Sequence, residues 1–242
     1  MVPVERRVRL PRAGIDVRVQ ELGDGPPVLF IHGASNSGTS WASLASRLPG
    51  FRCLLLDRPG CGLSDPLRTR IRGIDDLASL GDDLVADVLD GLGLDAAAVA
   101  ANSFGGYFAL RGALAHPERV GRIVILGWTA GAPLGKMPGL MRLASTPPLG
   151  SLLSRLPAGE RTVRSMFRSI GLAGALDAGR VSGEAIAAYA ALLNNTDSMR
   201  NDIDLGRWIM SHAADTTVAT SARRRRCAGG SGPATIREWS RT

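Results

Sequence analysis

An α/β fold is predicted here: a mostly parallel central sheet with helices on both faces, an N-terminal antiparallel hairpin and a helical lid. Three observations predict it. Short apolar runs recur at Val28 to Ile31, Cys53 to Leu56, around Ala97 to Ala101 and at Ile123 to Leu126. Helical patterns separate them, as a parallel sheet requires. His32, Asp57, Ser103 and Gly127 stand just after the runs. Such sheets gather their ligands at the carboxyl ends of the strands.

The elements follow in order. Val4 to Leu10 and Ile15 to Leu22 alternate with period two around Gly14 and read as a hairpin. After the run ending at His32-Gly33, Trp41, Leu44 and Leu48 mark one face of a helix. The run ending at Asp57 leads into a Gly/Pro loop, Arg58-Pro59-Gly60-Cys61-Gly62. Leu77, Leu80, Leu84, Val88 and Leu92 recur at three- and four-residue spacing, so a long amphipathic helix is expected. Asp75 and Asp76 lie in its first turn, where acids favour the helix dipole. The run near Ala97 feeds a helix from about Gly105 to Ala115.

From about Gly131 the pattern breaks into helical pieces at Pro138 to Ser145, Leu152 to Leu156, Arg161 to Ile170 and Gly183 to Asn194. The expected organisation is a core over 1–130, a helical lid over 131–210 and an irregular or disordered tail over 211–242. The tail shows neither apolar runs nor helical periodicity. Arginine outnumbers lysine 28 to 1, as in a GC-rich gene, and the tail is rich in Arg, Ala, Gly, Ser and Thr. An out-of-frame end that removes the last strands of the sheet is therefore expected. The strand ending at Leu126 would then expose apolar surface and lower stability.

Bulk properties exclude several classes. The chain of 242 residues can bury one full core. The net charge is +7, but removing six arginines and one acid from Thr216 onward leaves 23 basic against 21 acidic residues. A nucleic-acid surface should be a basic stripe on a folded face, so no nucleic-acid partner is expected. Nor is a membrane partner, since no run is long and apolar enough. Three scattered cysteines (Cys53, Cys61, Cys227) form neither a disulfide framework nor a zinc site, which suggests the cytoplasm and no metal. No cofactor is implied, and the oligomeric state is not legible.

The most informative segment is AAVAANSFGGY, from Ala97 to Tyr107. Small residues at Ala101 and Gly105 let the backbone bend sharply, so that the Ser103 hydroxyl stands clear of the sheet. Ser103 is the candidate nucleophile, and a plain helix-capping serine is the alternative.

FIHGASNSGTSW, LLLDRPGCGLSD, ANSFGGYFA and AHPERVGRIVIL, in this order from Val4 to about Met210, resemble the α/β-hydrolase superfamily, closest to its esterase and carbon–carbon-bond hydrolase branches. The resemblance implies an oxyanion hole from the backbone N–H groups of Ala34 and Phe104. It implies that His32 packs beneath the oxyanion loop and that Asp57 holds the loop from Arg58 to Asp65. Asn36, Asn102 and Trp128 are the candidate substrate contacts, with Met137, Leu140 and Met141 near the mouth. The family's order is nucleophile, acid, histidine. His116 lies a helix length from Ser103, about 15 Å, so His212 is the one late candidate base, with Asp204 and Asp215 near it in sequence. No strand positions them, and the interrupted end is expected to lack the part that carries the family's triad acid and histidine.

The expected activity is a serine hydrolase of a small ester, lactone or activated carbon–carbon bond, acting through a Ser103 acyl-enzyme and impaired by C-terminal truncation. The alternatives are a non-catalytic remnant or small-molecule-binding module on the same fold, and a cofactor-free peroxidase or lyase.

Overall fold

The computed structural model describes residues 3–127 and 156–211. Trp128, Met137, Leu140, Met141, His212, Asp215, most of the first two lid pieces and the tail from 212 lie outside the described residues.

The hairpin forms as expected: β1 (Val4–Leu10) pairs antiparallel with β2 (Ile15–Leu22). Gly14 makes the turn at φ 67°. The strands β3 (Pro27–Ile31), β4 (Arg52–Leu56), β5 (Ala97–Asn102) and β6 (Val120–Leu126) complete a six-stranded sheet of order β1-β2-β4-β3-β5-β6. The pairs β3–β4, β3–β5 and β5–β6 are parallel, whereas β2–β4 is antiparallel.

Side chains alternate across this sheet with the period-two geometry of a strand. Leu29, Ile31, Leu54, Leu56 and Val99 enter the larger core, closed by α2 (Ile74–Gly91) and α3 (Phe104–Ala115). Phe30, Cys53 and Leu55 enter a second core on the opposite face, with Trp41 and Ala45. Covering both faces is what allows the central strands to be continuously apolar. The α2 and α3 helices approach closely because Gly81 faces Tyr107 and Arg111, while Gly112 faces Val85.

The helix expected around Trp41 is shorter than its pattern suggests. A 3-10 turn (Gly38–Trp41) runs into α1 (Ala42–Ala45), a single turn. Its buried face is Trp41 and Ala45 with Leu48 beside them, while Leu44 points outward at 41% exposure. Spacing of four aligns Trp41 with Ala45, and alanine is too weak a hydrophobic signal to be noticed.

At the other edge, β6 is the last strand among the described residues. Val124 and Leu126 are 56% and 48% exposed, which matches the expected apolar surface there.

The described residues after 155 are helical: α4 (Glu160–Phe167), a π-type turn (Arg168–Leu172), α5 (Ala173–Asp177), α6 (Gly183–Asn195) and α7 (Ser198–Ser211). The helical piece expected from Arg161 to Ile170 is present, and Gly171, at φ 95°, puts a kink just after it. Ser182 caps α6 by accepting the Ala185 N–H at 3.1 Å. Val163, Ile186, Ala190 and Leu193 form a small core of their own. The α7 helix has no counterpart in the sequence expectations. Its apolar positions Leu205, Trp208 and Ile209 are diluted by charged neighbours, yet they pack on the main core.

Candidate active site

Ser103 occupies the sharp turn between β5 and α3, with φ 49° and ψ −119°. A non-glycine residue there carries strain of about 1–3 kcal/mol, held by the surrounding structure. The supports are visible. A Cβ on Gly105 would stand 2.6 Å from the His32 carbonyl oxygen and closer still to that of Ile31, so only glycine lets α3 begin against the end of β3. Ser103 makes no side-chain capping hydrogen bond to α3, contrary to what a plain capping serine would show. Its side chain is partly exposed, at the carboxyl edge of the sheet.

The loop after β3 leans on this turn. A Cβ on Gly33 would lie 3.0 Å from Asn102 Nδ2 and 3.2 Å from Ser103 Cβ. Gly33 thus lets the backbone pass beside the serine, and Ala34, next in the chain, is exposed. Phe104 is buried, with its ring 4.8 Å beneath the Arg58 guanidinium. Asn36 turns its carboxamide oxygen back to the Ser37 N–H at 2.9 Å, and Asn102 is partly exposed beside Gly33. Trp128 lies outside the described residues. The structure therefore brings Ser103, Asn102, Gly33-Ala34 and Phe104 to one edge.

His32 is fully buried. Its Nδ1–H donates to the Gly33 carbonyl at 2.7 Å, and its Nε2 accepts the Arg58 N–H at 3.1 Å. Burial, then the nearby Arg58 charge, hold its pKa well below the usual imidazole value. It is a neutral spacer between two loops and has no free nitrogen to serve as a base. His116, at the far end of α3, lies 3.6 Å from Asp83 and 3.7 Å from Glu118.

Asp57 joins the loops on either side of it. Its carboxylate accepts the Gly38 N–H at 2.6 Å, the Leu63 N–H at 2.9 Å and Arg18 Nη1 at 3.2 Å. Its carbonyl accepts the Ser64 hydroxyl at 2.6 Å. It is completely buried and has no approach to Ser103 from this position.

Sequence reasoning missed Asp202, on α7. Its Oδ2 accepts the Ser35 N–H at 2.6 Å and Arg58 Nη2 at 2.8 Å. Arg58 is wholly buried. It also reaches the His32 and Gly33 carbonyls, each at 3.0 Å. Burial opposes its charge, but the Asp202 carboxylate, together with Cys61 and Asp57, offsets this and raises its pKa. The Tyr189 phenol is pushed up to about 12 by burial and then by the Asp202 charge. Only a buried arginine in the Asp57-Arg58-Pro59 segment hinted that a distant acid must meet it. Among the described residues, no group of three or more His, Cys, Asp or Glu stands together as a metal site, and no helix is long and apolar enough to cross a membrane.

Comparison with known proteins places this geometry. The family model for the alpha/beta hydrolase fold matches residues 26–153. A 2-hydroxy-6-oxononadienedioate/2-hydroxy-6-oxononatrienedioate hydrolase of Pseudomonas putida is 32% identical over 140 residues, 54% of this chain and 48% of that protein. Its counterpart in Klebsiella pneumoniae is 28% identical over 194 residues, 78% of this chain and 62% of that protein. The chain spans about half the length of the curated relatives it matches. The 2-hydroxy-6-oxo-6-phenylhexa-2,4-dienoate hydrolase of Rhodococcus sp. strain RHA1 superposes with a TM-score of 0.66 at 19% identity, over 88% of this chain and 74% of that one. An epoxide hydrolase of Vigna radiata superposes at 0.65 with 20% identity, over 90% and 75%. These superpositions show the fold, and the family match spans the β3 loop, Asp57 and the Ser103 turn together. A serine on a strained strand-to-helix turn, flanked by a glycine-permitted loop on the carboxyl edge of a mostly parallel sheet, marks this chain as a member of the alpha/beta hydrolase family.

Proposed function

We propose that this protein is a serine hydrolase that cleaves a carbon–carbon bond next to a ketone, or a small ester or lactone, through a Ser103 acyl-enzyme. The observation that carries this reading is the positive-φ turn at Ser103 with the Gly33 loop pressed against it. Ser103 Oγ attacks the carbonyl carbon, and the carbonyl oxygen takes up negative charge between the Ala34 and Phe104 N–H groups. Collapse of the tetrahedral species breaks the bond to the leaving carbon or oxygen, which takes up the proton that the Ser103 hydroxyl lost on attack. Water then hydrolyses the acyl-enzyme, returning the serine and releasing a carboxylate. The relatives that hydrolyse 2-hydroxy-6-oxo dienoic acids favour the carbon–carbon substrate class.

Residues 1–130 form the catalytic core in this reading, and 131–210 form a helical lid. Asn36 and Asn102 face substrate at its rim. Buried free thiols at Cys53 and Cys61 favour a cytoplasmic setting.

A second reading, a non-catalytic small-molecule-binding module, is favoured by one observation. Both described histidines are committed elsewhere, His32 to Gly33 and Arg58, His116 to Asp83 and Glu118. A fluorophosphonate probe separates the two readings. Labelling of Ser103, abolished by Ser103→Ala, supports the hydrolase. Folded protein that resists labelling supports the binding module.

A further inference from the structure

Gly33 and Ala34 share one planar peptide, whose C=O and N–H point in opposite directions. Whatever grips the Gly33 carbonyl therefore aims the Ala34 N–H. That carbonyl accepts His32 Nδ1 at 2.7 Å and Arg58 Nη2 at 3.0 Å. The following peptide joins Ala34 to Ser35, and its N–H donates to Asp202 Oδ2 at 2.6 Å. Ser35 is held at φ 53°, a conformation that favours glycine and needs such a restraint. The same carboxylate oxygen accepts Arg58 Nη2 at 2.8 Å. One oxygen thus grips both peptides flanking Ala34, the second directly and the first through Arg58.

We propose that Asp202 is a positioning residue: paired with Arg58, it locks the Gly33–Ala34–Ser35 backbone so that the Ala34 N–H is aimed at the oxyanion formed on attack by Ser103. This rests on the oxyanion role given to Ala34 above. The pair is buried, 0% exposed at Arg58 and 2% at Asp202, so its hydrogen bonds are strong and the guanidinium polarises the peptide it grips. The α7 helix is docked by further contacts besides Asp202. Ser198 Oγ accepts the Gly62 N–H at 2.8 Å, and Asn201 Nδ2 donates to the Pro59 carbonyl at 3.0 Å. The helix brings a carboxylate 167 residues along the chain to the β3 loop.

The test uses the full chain and a fluorophosphonate ester, with Ser103 labelling followed by mass spectrometry across probe concentrations. In Asp202→Asn the maximal labelling rate falls about tenfold or more, as for a misdirected oxyanion donor. The half-saturating probe concentration stays within about twofold, the split expected when only transition-state contacts are lost. A purely structural role would move both or neither, and an unchanged maximal rate overturns the proposal. Arg58→Met combined with Asp202→Leu removes both charges together and leaves no lone buried ion. It must show the same loss, including where Asp202→Asn does not fold. If the unmodified protein resists labelling, the hydrolase reading fails by itself. The positioning role is then decided by amide hydrogen exchange in the double variant: faster exchange at Ser35 supports it, and unchanged protection overturns it.

Discussion

Replacing Gly105 by alanine adds one methyl group to the first turn of α3, where the structure has no room for it. The new Cβ would stand 2.6 Å from the His32 carbonyl oxygen and closer to that of Ile31. Both obstacles are backbone at the end of a central strand, paired on either side by β4 and β5. No side chain can swing away, so α3 must shift from β3 by several tenths of an ångström. Overpacking against rigid backbone costs about 3 kcal/mol, the upper part of the usual range. In a protein of this size that lowers the melting temperature by about 6–12 °C. Ser103 moves with the helix, and in the serine-hydrolase reading the rate falls on the order of a hundredfold per ångström of displacement, so about tenfold here. Thermal unfolding by circular dichroism and fluorophosphonate labelling of Ser103 measure the two effects separately. Gly121→Ala is the control, since its Cβ meets nothing within 4 Å. A Gly105→Ala protein as stable as Gly121→Ala would refute the close approach of α3 to β3 on which the site is built.

Three further outcomes follow from the same geometry. His32 is held neutral, its folded pKa depressed below the ordinary value, so its contribution is fully present above about pH 6.5 and drains as pH falls below it. Urea midpoints from pH 7.5 to 5.5 should fall more steeply for the parent than for His32→Gln, by up to about 1.4 kcal/mol per pH unit; equal slopes would contradict a buried neutral imidazole. Asp57→Ala leaves the Gly38 and Leu63 N–H groups unpaired and takes from the buried Arg18 one of its two carboxylate partners, Glu5 being the other, for a loss of about 3 kcal/mol in denaturant unfolding. On the open face of β6, Val124→Lys with Leu126→Glu should change stability by no more than about 0.5 kcal/mol per site while reducing light scattering on concentration; undiminished scattering would place the sticky surface elsewhere.

The sheet was legible because its signals are local. Period two in β1 and β2, and apolar runs at β3 to β6, depend on neighbours along the chain, and the observed strands fall on them within three residues. The α2 helix was legible for the same reason, with Leu77, Leu84 and Val88 all buried. Trp41 misled because it seemed to share a face with Leu44, whereas α1 is too short to show a period. The α7 helix went unread because its apolar positions are sparse and its polar residues point inward to partners far along the chain.

The candidate site divides along the same line. Small residues around Ser103 predict a sharp turn before any coordinates are known, since only they permit the bend. The resemblance puts His32 beneath the oxyanion loop, and in the structure two hydrogen bonds there use both of its ring nitrogens. No pattern along the chain could announce that Asp202 meets Arg58 and Ser35.

The sequence by itself determined the α/β architecture, the carboxyl edge at which chemistry collects and the serine on the turn, because periodicity and backbone sterics act over a few residues. Only the tertiary structure decided what holds the loop beside that serine. Burying a guanidinium requires a compensating carboxylate, and folding alone selects which of the many acids in the chain supplies it.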